Sequence, residues 1–162
     1  MDRVNRILHN EVYVENRYNI ELLEKDRIYC KHGEEHALDV ARIAMLINLT
    51  EQYGLEKEIV YAAAILHDIG RAQEYREGKR HEEAGQIIAS VILKECLFHQ
   101  DEIDDIMSAI ANHRDKSKMN LTKSNLGEII SRADHLSRPC YKCMAAQTCK
   151  WSYERRNEEI QW

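Results

Sequence analysis

Ile59-Val60-Tyr61-Ala62-Ala63-Ala64-Ile65-Leu66 is the longest unbroken apolar run in this 162-residue chain, and it leads straight into His67-Asp68-Ile69-Gly70. Eight residues fall far short of a membrane span. A segment from about 56 to 69 that is apolar nearly all round predicts a helix enclosed by other helices, with Gly70 as its C-cap. Working outward, His36, Val40, Ile43 and Ile47 share a face at steps of four, three and four, which predicts a helix from about 35 to 53 closed by Gly54. Similar patterning predicts helices near 81–98, 102–114 and 125–137, and an amphipathic helix or helix pair within 2–27. Polar residues from Arg71 to Arg80 and a basic loop through Lys116, Lys118 and Lys123 separate them. No alternating strand pattern occurs, so the class is all-α: a single-domain helical bundle.

Composition agrees. One Pro and six Gly amount to about a third of the usual share, which excludes a loop-rich chain. A chain of this length buries roughly two thirds of its unfolded surface and needs no metal or disulfide merely to stay folded. The expected organisation is an N-terminal helical segment over 1–34, a core over 35–138 and a Cys-containing tail over 139–162, set off by the sole proline, Pro139. The net charge is −5 and no long basic run is present, which argues against a dedicated nucleic-acid surface. Asp2, Arg3 and Arg6 stand where a signal peptide needs an apolar stretch, so the expected location is cytoplasmic, with no membrane partner.

Eight His and five Cys are more metal-ligand side chains than packing requires. His67 and Asp68 end the apolar helix, where unpaired carbonyls and the macrodipole favour a cation and a lone buried carboxylate is costly. The other inward stripes lead to similar residues. His36 heads one, His81 leads Gly85, Ile88 and Ile92, His113 follows Ile103, Ile106 and Ile110, and Asp134 lies one turn after Ile130. A single His on an apolar face is more often a hydrogen-bonded core residue than a ligand. Five such helices together make poor core design unless a metal satisfies them.

His36, then His67-Asp68-Ile69-Gly70, then Asp134 within Arg132-Ala133-Asp134 resemble the H…HD…D signature of the HD-domain metal-dependent phosphohydrolases, in the HDIG variant. The resemblance spans residues 36–134 and implies a bundle of helices around a metal site. It also implies one metal on His36, His67, Asp68 and Asp134, and a second on His81 and His113 with Asp68 bridging, most like the diiron HD hydrolases that cleave dinucleoside polyphosphates. The alternative for His81 and His113 is a substrate-facing role beside one metal. Two cations about 3.5–4 Å apart generate a hydroxide nucleophile at neutral pH and clamp a phosphoryl group undergoing in-line attack. Imidazole and carboxylate ligands suit Fe, Mn, Co or Ni, with Mg open at a partly filled site. Phosphate needs further cations, for which Arg71 and Arg114 are preferred, followed by Lys79, Arg80 and Arg138; solvated surface is the alternative for each. His32 is a candidate acid or substrate contact, or simply the start of a helix. The expected activity is hydrolysis of a phosphate ester or anhydride of a small nucleotide or dinucleotide. A diiron oxygenase and a non-catalytic nucleotide or redox sensor are the competing readings, and a homodimer is left open.

Cys140, Cys143 and Cys149 form C-x2-C-x5-C in the tail. That spacing resembles the iron-sulfur segments of endonuclease-III-type glycosylases and RecB-type nucleases; in the latter an upstream Cys completes a four-thiolate set. Cys30, in Tyr-Cys-Lys-His, is the candidate fourth. Cys96, beside Leu93, Leu97 and Phe98, reads as a core thiol. Zinc, an iron-sulfur cluster or unliganded thiols all fit.

Overall fold

Ala62, Ala63, Ala64, Ile65 and Leu66 have no solvent exposure in a computed structural model of the chain, which describes residues 1–113 and 125–160. They belong to a helix that the rest of the molecule surrounds. In chain order the helices are α1 (Asp2–Leu8), α2 (Glu11–Leu23), α3 (Glu34–Thr50), α4 (Lys57–Leu66), α5 (Arg71–Glu77), α6 (His81–Glu95), α7 (Gln100–Asn112) and α8 (Asn125–Leu136). Among the described residues there is no strand, and no helix is long and apolar enough to cross a membrane. Arg114 and the basic loop of Lys116, Lys118 and Lys123 lie outside the described residues.

Helix α4 packs on α1, α3, α7 and α8. Its small alanine side chains let these neighbours approach closely, and larger ones fill the gaps: Ile47 from α3, Ile103, Ile106 and Ile110 from α7, and Ile129 and Ile130 from α8. Val4, Ile7 and Tyr13 join the same core, so the N-terminal helices pack into the bundle. Local chemistry sets the starts. The Asn10 side chain accepts the Val12 and Tyr13 amides of α2, Glu56 accepts the Ile59 amide of α4, and Glu102 accepts the His99 amide ahead of α7.

Helix α3 ends at Thr50 with Glu51 as its C-cap, short of the expected closure at Gly54, and the region after α4 also differs from the sequence expectation. Helix α4 stops at Leu66, so His67 to Gly70 form a turn, and α5 occupies part of the stretch expected to be a polar connection. Gly70, with φ −83°, is the N-cap of α5 and not a left-handed C-cap of α4. Its need for glycine is close approach: a Cβ there would lie 2.3 Å from the His81 carbonyl oxygen and 2.5 Å from the Gly85 amide nitrogen. That contact holds the turn against the start of α6. Gly70→Ala is therefore expected to cost about 1–3 kcal/mol through overpacking, read as a lower urea midpoint in chelator-treated protein.

After α8 the chain continues in short 3-10 turns at Cys140–Lys142, Ala146–Thr148 and Tyr153–Arg155. Asn157 ties this tail back, donating to the carbonyls of His135 and Arg138.

Candidate metal centre

His67 and His113 occupy the C-caps of α4 and α7, where the last carbonyls lack helical partners. Each ring uses its Nδ1 to satisfy one of them: His67 contacts the Ala64 oxygen at 2.6 Å and His113 the Ile110 oxygen at 2.7 Å. His36, in the first turn of α3, places Nδ1 3.2 Å from Ser137 Oγ, while that hydroxyl donates to the Asp134 carbonyl at 2.8 Å. His81 opens α6 with Nδ1 3.2 Å from Glu74 Oε2. Assigned from the hydrogen-bond partners, Nδ1 of His36, His67 and His113 carries a proton and Nε2 points inward, where a bound metal would take its lone pair, the arrangement that orients a metal-ligating imidazole.

The carboxylate of Asp68 joins two sets of ligand atoms. Its Oδ2 lies 3.0 Å from His67 Nε2 and 3.7 Å from His36 Nε2, and Asp134 Oδ1 completes this group at 3.2 Å from His36 Nε2 and 3.8 Å from His67 Nε2. Its Oδ1 faces the other way, 3.4 Å from His81 Nε2 and 3.9 Å from His113 Nε2. In each set the ligand atoms all fall within 4.8 Å of one another. Adjacent ligands on one ion with bonds of about 2.1 Å sit roughly 3.0–3.4 Å apart, so both sets are near ligating geometry.

Burial supports a cation here. His67 Nε2, Asp68 Oδ2 and His113 Nε2 are buried with no hydrogen-bond partner, an arrangement that is expensive unless an ion takes the lone pairs. The negative ends of α4 and α7 reach the same point. These residues fit one or two divalent metal ions, and the donor set does not distinguish among the transition metals.

The charges are strongly coupled. Burial opposes ionisation of Asp68, but His67 and Arg71 outweigh it and hold its carboxyl well below the usual range. Burial also opposes ionisation of Asp134, which Arg138 and the histidines reverse in the same way. Burial disfavours protonated His67, yet the two carboxylates raise its pKa to about 9. Burial and the neighbouring His67 lower His113 to about 4. Arg71 donates from Nε to Asp68 Oδ1 at 3.0 Å and from Nη1 to Glu74 at 2.9 Å. Arg138 reaches Asp134 Oδ1 at 2.5 Å and lies 2.9 Å from His36 Nε2, directly against ligand atoms of the first set.

The other residues singled out from sequence divide by place. Lys79 and Arg80 extend into solvent, Lys79 pairing with Glu77 and Arg80 lying near Glu82. His32 is buried, with Nδ1 2.5 Å from the buried Glu24, which also accepts from Tyr75. Arg17, Glu24, Glu74, Tyr75 and Ser137 escaped the sequence reading. Arg17 alone had a usable signal, since it lies on the inward stripe of α2 between Tyr13 and Ile20.

His32 yields a pH prediction. Burial lowers its pKa from 6.5 to about 4, against the opposing pull of Asp68 and Glu24. Between those values the unfolded chain binds the proton more readily, so stability present above pH 6.5 is lost as pH falls through 4. The expected loss is about 3 kcal/mol, measured by urea unfolding of chelator-treated protein, and His32→Gln should flatten the slope.

Comparison with known proteins gives the family. The HD domain family model matches residues 33–138, and the chain belongs to the HD domain family. An uncharacterized protein of Clostridium beijerinckii is 42% identical over 160 residues, covering 99% of both chains. Ribonuclease Y of Pseudothermotoga lettingae is 29% identical over 121 residues, 73% of this chain but 21% of that protein. Ribonuclease Y of Petrotoga mobilis is 26% identical over 131 residues, 72% of this chain and 25% of that one. A crystal structure of a predicted HD superfamily hydrolase from an uncultured Thermotogales bacterium superposes with TM-score 0.63 at 25% identity, covering 89% of this chain and 80% of that chain. At superfamily level the relationship is to hydrolases.

Proposed function

We propose that the chain is a metal-dependent phosphohydrolase acting on a phosphate ester or anhydride of a nucleotide or short oligonucleotide. The observation that carries this reading is the division of Asp68 between two histidine sets, Oδ2 toward His36 and His67 and Oδ1 toward His81 and His113. Divalent metals held there would lower the pKa of a coordinated water toward neutrality and polarise a phosphoryl oxygen. The protein's own part is positioning. The Nδ1 partners fix the imidazoles, and burial of His67, His81 and His113 excludes bulk water from one side. Arg138 lines the cavity that opens on His36, where its guanidinium can leave His36 and meet a phosphoryl oxygen bidentately. Arg71 remains on Asp68 and Glu74 and balances the bridging carboxylate. His32, buried against Glu24 and set back from the cavity lining, braces the segment before α3 rather than touching substrate. The ribonuclease Y relatives, by name enzymes acting on RNA, support a phosphodiester among the substrates.

The test uses protein stripped with chelator and reloaded anaerobically with Mn or Fe. It is assayed against bis(p-nitrophenyl) phosphate, a dinucleoside monophosphate, a dinucleoside polyphosphate and nucleoside monophosphates. Hydrolysis that returns with metal supports the reading. Metal binding with oxygen uptake and no hydrolysis would move the chain to the oxygenase reading, and binding with neither would leave a sensor.

A further inference from the structure

Cys30, Cys140, Cys143 and Cys149 line one cavity of about 770 Å³ between the segment at Ile28–Gly33 and the tail. All four are free thiols, and Cys140 is buried. Apolar packing does not account for their meeting. The tail holds only short 3-10 turns, and Tyr141, Met144, Tyr153 and Ile160 are exposed, Met144 completely. Its buried side chains are Cys140, Ala145 and Asn157. Yet thiols from distant parts of the chain line one space. The fifth cysteine, Cys96, is in the bundle core, as its apolar neighbours imply.

We propose that these four cysteines hold an iron-sulfur cluster that staples the tail to the start of the HD domain. A single zinc ion with bonds of about 2.3 Å would draw four sulfurs to roughly 3.8 Å from one another. Among the described residues, the ligand sets that close within 4.8 Å are the two sharing Asp68, and the thiols form no such set. They line a cavity of about 770 Å³ instead, which has room for a cluster with several irons and bridging sulfides. On binding, each thiol gives up its proton, and the cell's assembly machinery or reconstitution supplies sulfide with both ferrous and ferric iron, the ferric iron carrying the oxidation level that dithionite later reduces. The cluster lies beside the other site, because Cys140 follows Arg138 and Pro139 directly and the same cavity reaches His36 and Arg138.

The experiment measures iron, zinc and acid-labile sulfide in the full chain after anaerobic reconstitution with ferrous and ferric iron and sulfide. It adds visible absorption with and without dithionite, and iron X-ray absorption. Expected are stoichiometric sulfide, absorption that bleaches on reduction, and iron bound to sulfur. The sulfide should persist in Asp68→Ala and Cys96→Ser and be lost in Cys30→Ser and Cys143→Ser that keep the wild-type helical circular dichroism. Zinc without sulfide, or full sulfide in Cys30→Ser, overturns the proposal, and the wild-type measurements stand even if a variant misfolds. The site around Asp68 has no sulfur ligand, so failure here leaves the hydrolase reading untouched, and failure of hydrolysis leaves the sulfide result intact.

Discussion

Asp68→Asn is expected to weaken metal binding by at least about 100-fold and to abolish metal-dependent hydrolysis, because one carboxylate serves both ligand sets. Losing an outer partner of a ligand typically costs about 10–100-fold in affinity; losing the shared ligand should cost no less. An amide keeps the shape but removes the charge that Oδ2 presents to His67 at 3.0 Å and Oδ1 to Arg71 at 3.0 Å. The metal-free chain should suffer as well. The Arg71 guanidinium, 5% exposed, keeps only Glu74, and His67 loses the main influence that raises its pKa to about 9. Breaking a buried pair costs about 3–5 kcal/mol, and release of the His67 proton places this case near the lower end. Metal titration and urea unfolding of stripped protein read the two effects separately. A variant that binds metal as tightly as wild type would remove Asp68 from both sets.

Arg17→Met is expected to lower stability by about 3–4 kcal/mol although Arg17 touches no ligand atom. Its Nη1 donates to the His32 carbonyl at 2.8 Å and its Nη2 to the Ile65 carbonyl at 2.7 Å, within a side chain that is 5% exposed. Methionine fills similar volume but leaves two buried acceptors without donors, at about 1–3 kcal/mol each. Ile65 is in the last turn of α4, two residues before His67, so the same substitution should loosen metal binding by about tenfold. Urea unfolding with a parallel metal titration checks both. Lost stability with unchanged affinity would limit Arg17 to bracing the fold, and no change in either would show that water satisfies the two carbonyls.

The helical class and the order of most helices were legible because burial along a helix repeats within a few residues. Ile47, Ile65, Ile110 and Ile130 announce their inward faces from their nearest neighbours alone. Helix α5 was missed for the same reason. Arg71, Gln73, Glu74 and Arg76 carry no apolar stripe, and the segment is held by Asp68, Glu74 and the Gly70 contact with α6. Gly70 was read as a helix stop, whereas its glycine is required by a backbone that only the packed molecule brings near.

The sequence alone determined the chemical inventory: an all-α chain, His and Asp residues at the ends of inward stripes, and a cysteine spacing in the tail. Each of these is a local pattern of residue type and period. The tertiary structure assigned the two Asp68 oxygens to different histidine pairs, laid Arg138 on His36 and Asp134, buried His32 on Glu24, and brought Cys30 to the tail thiols. Most of those relations hold polar groups from different segments at separations of a few ångströms, and the thiols share one cavity. They follow from how the helices pack and from which buried polar groups must find partners, and residue type along the chain does not encode them.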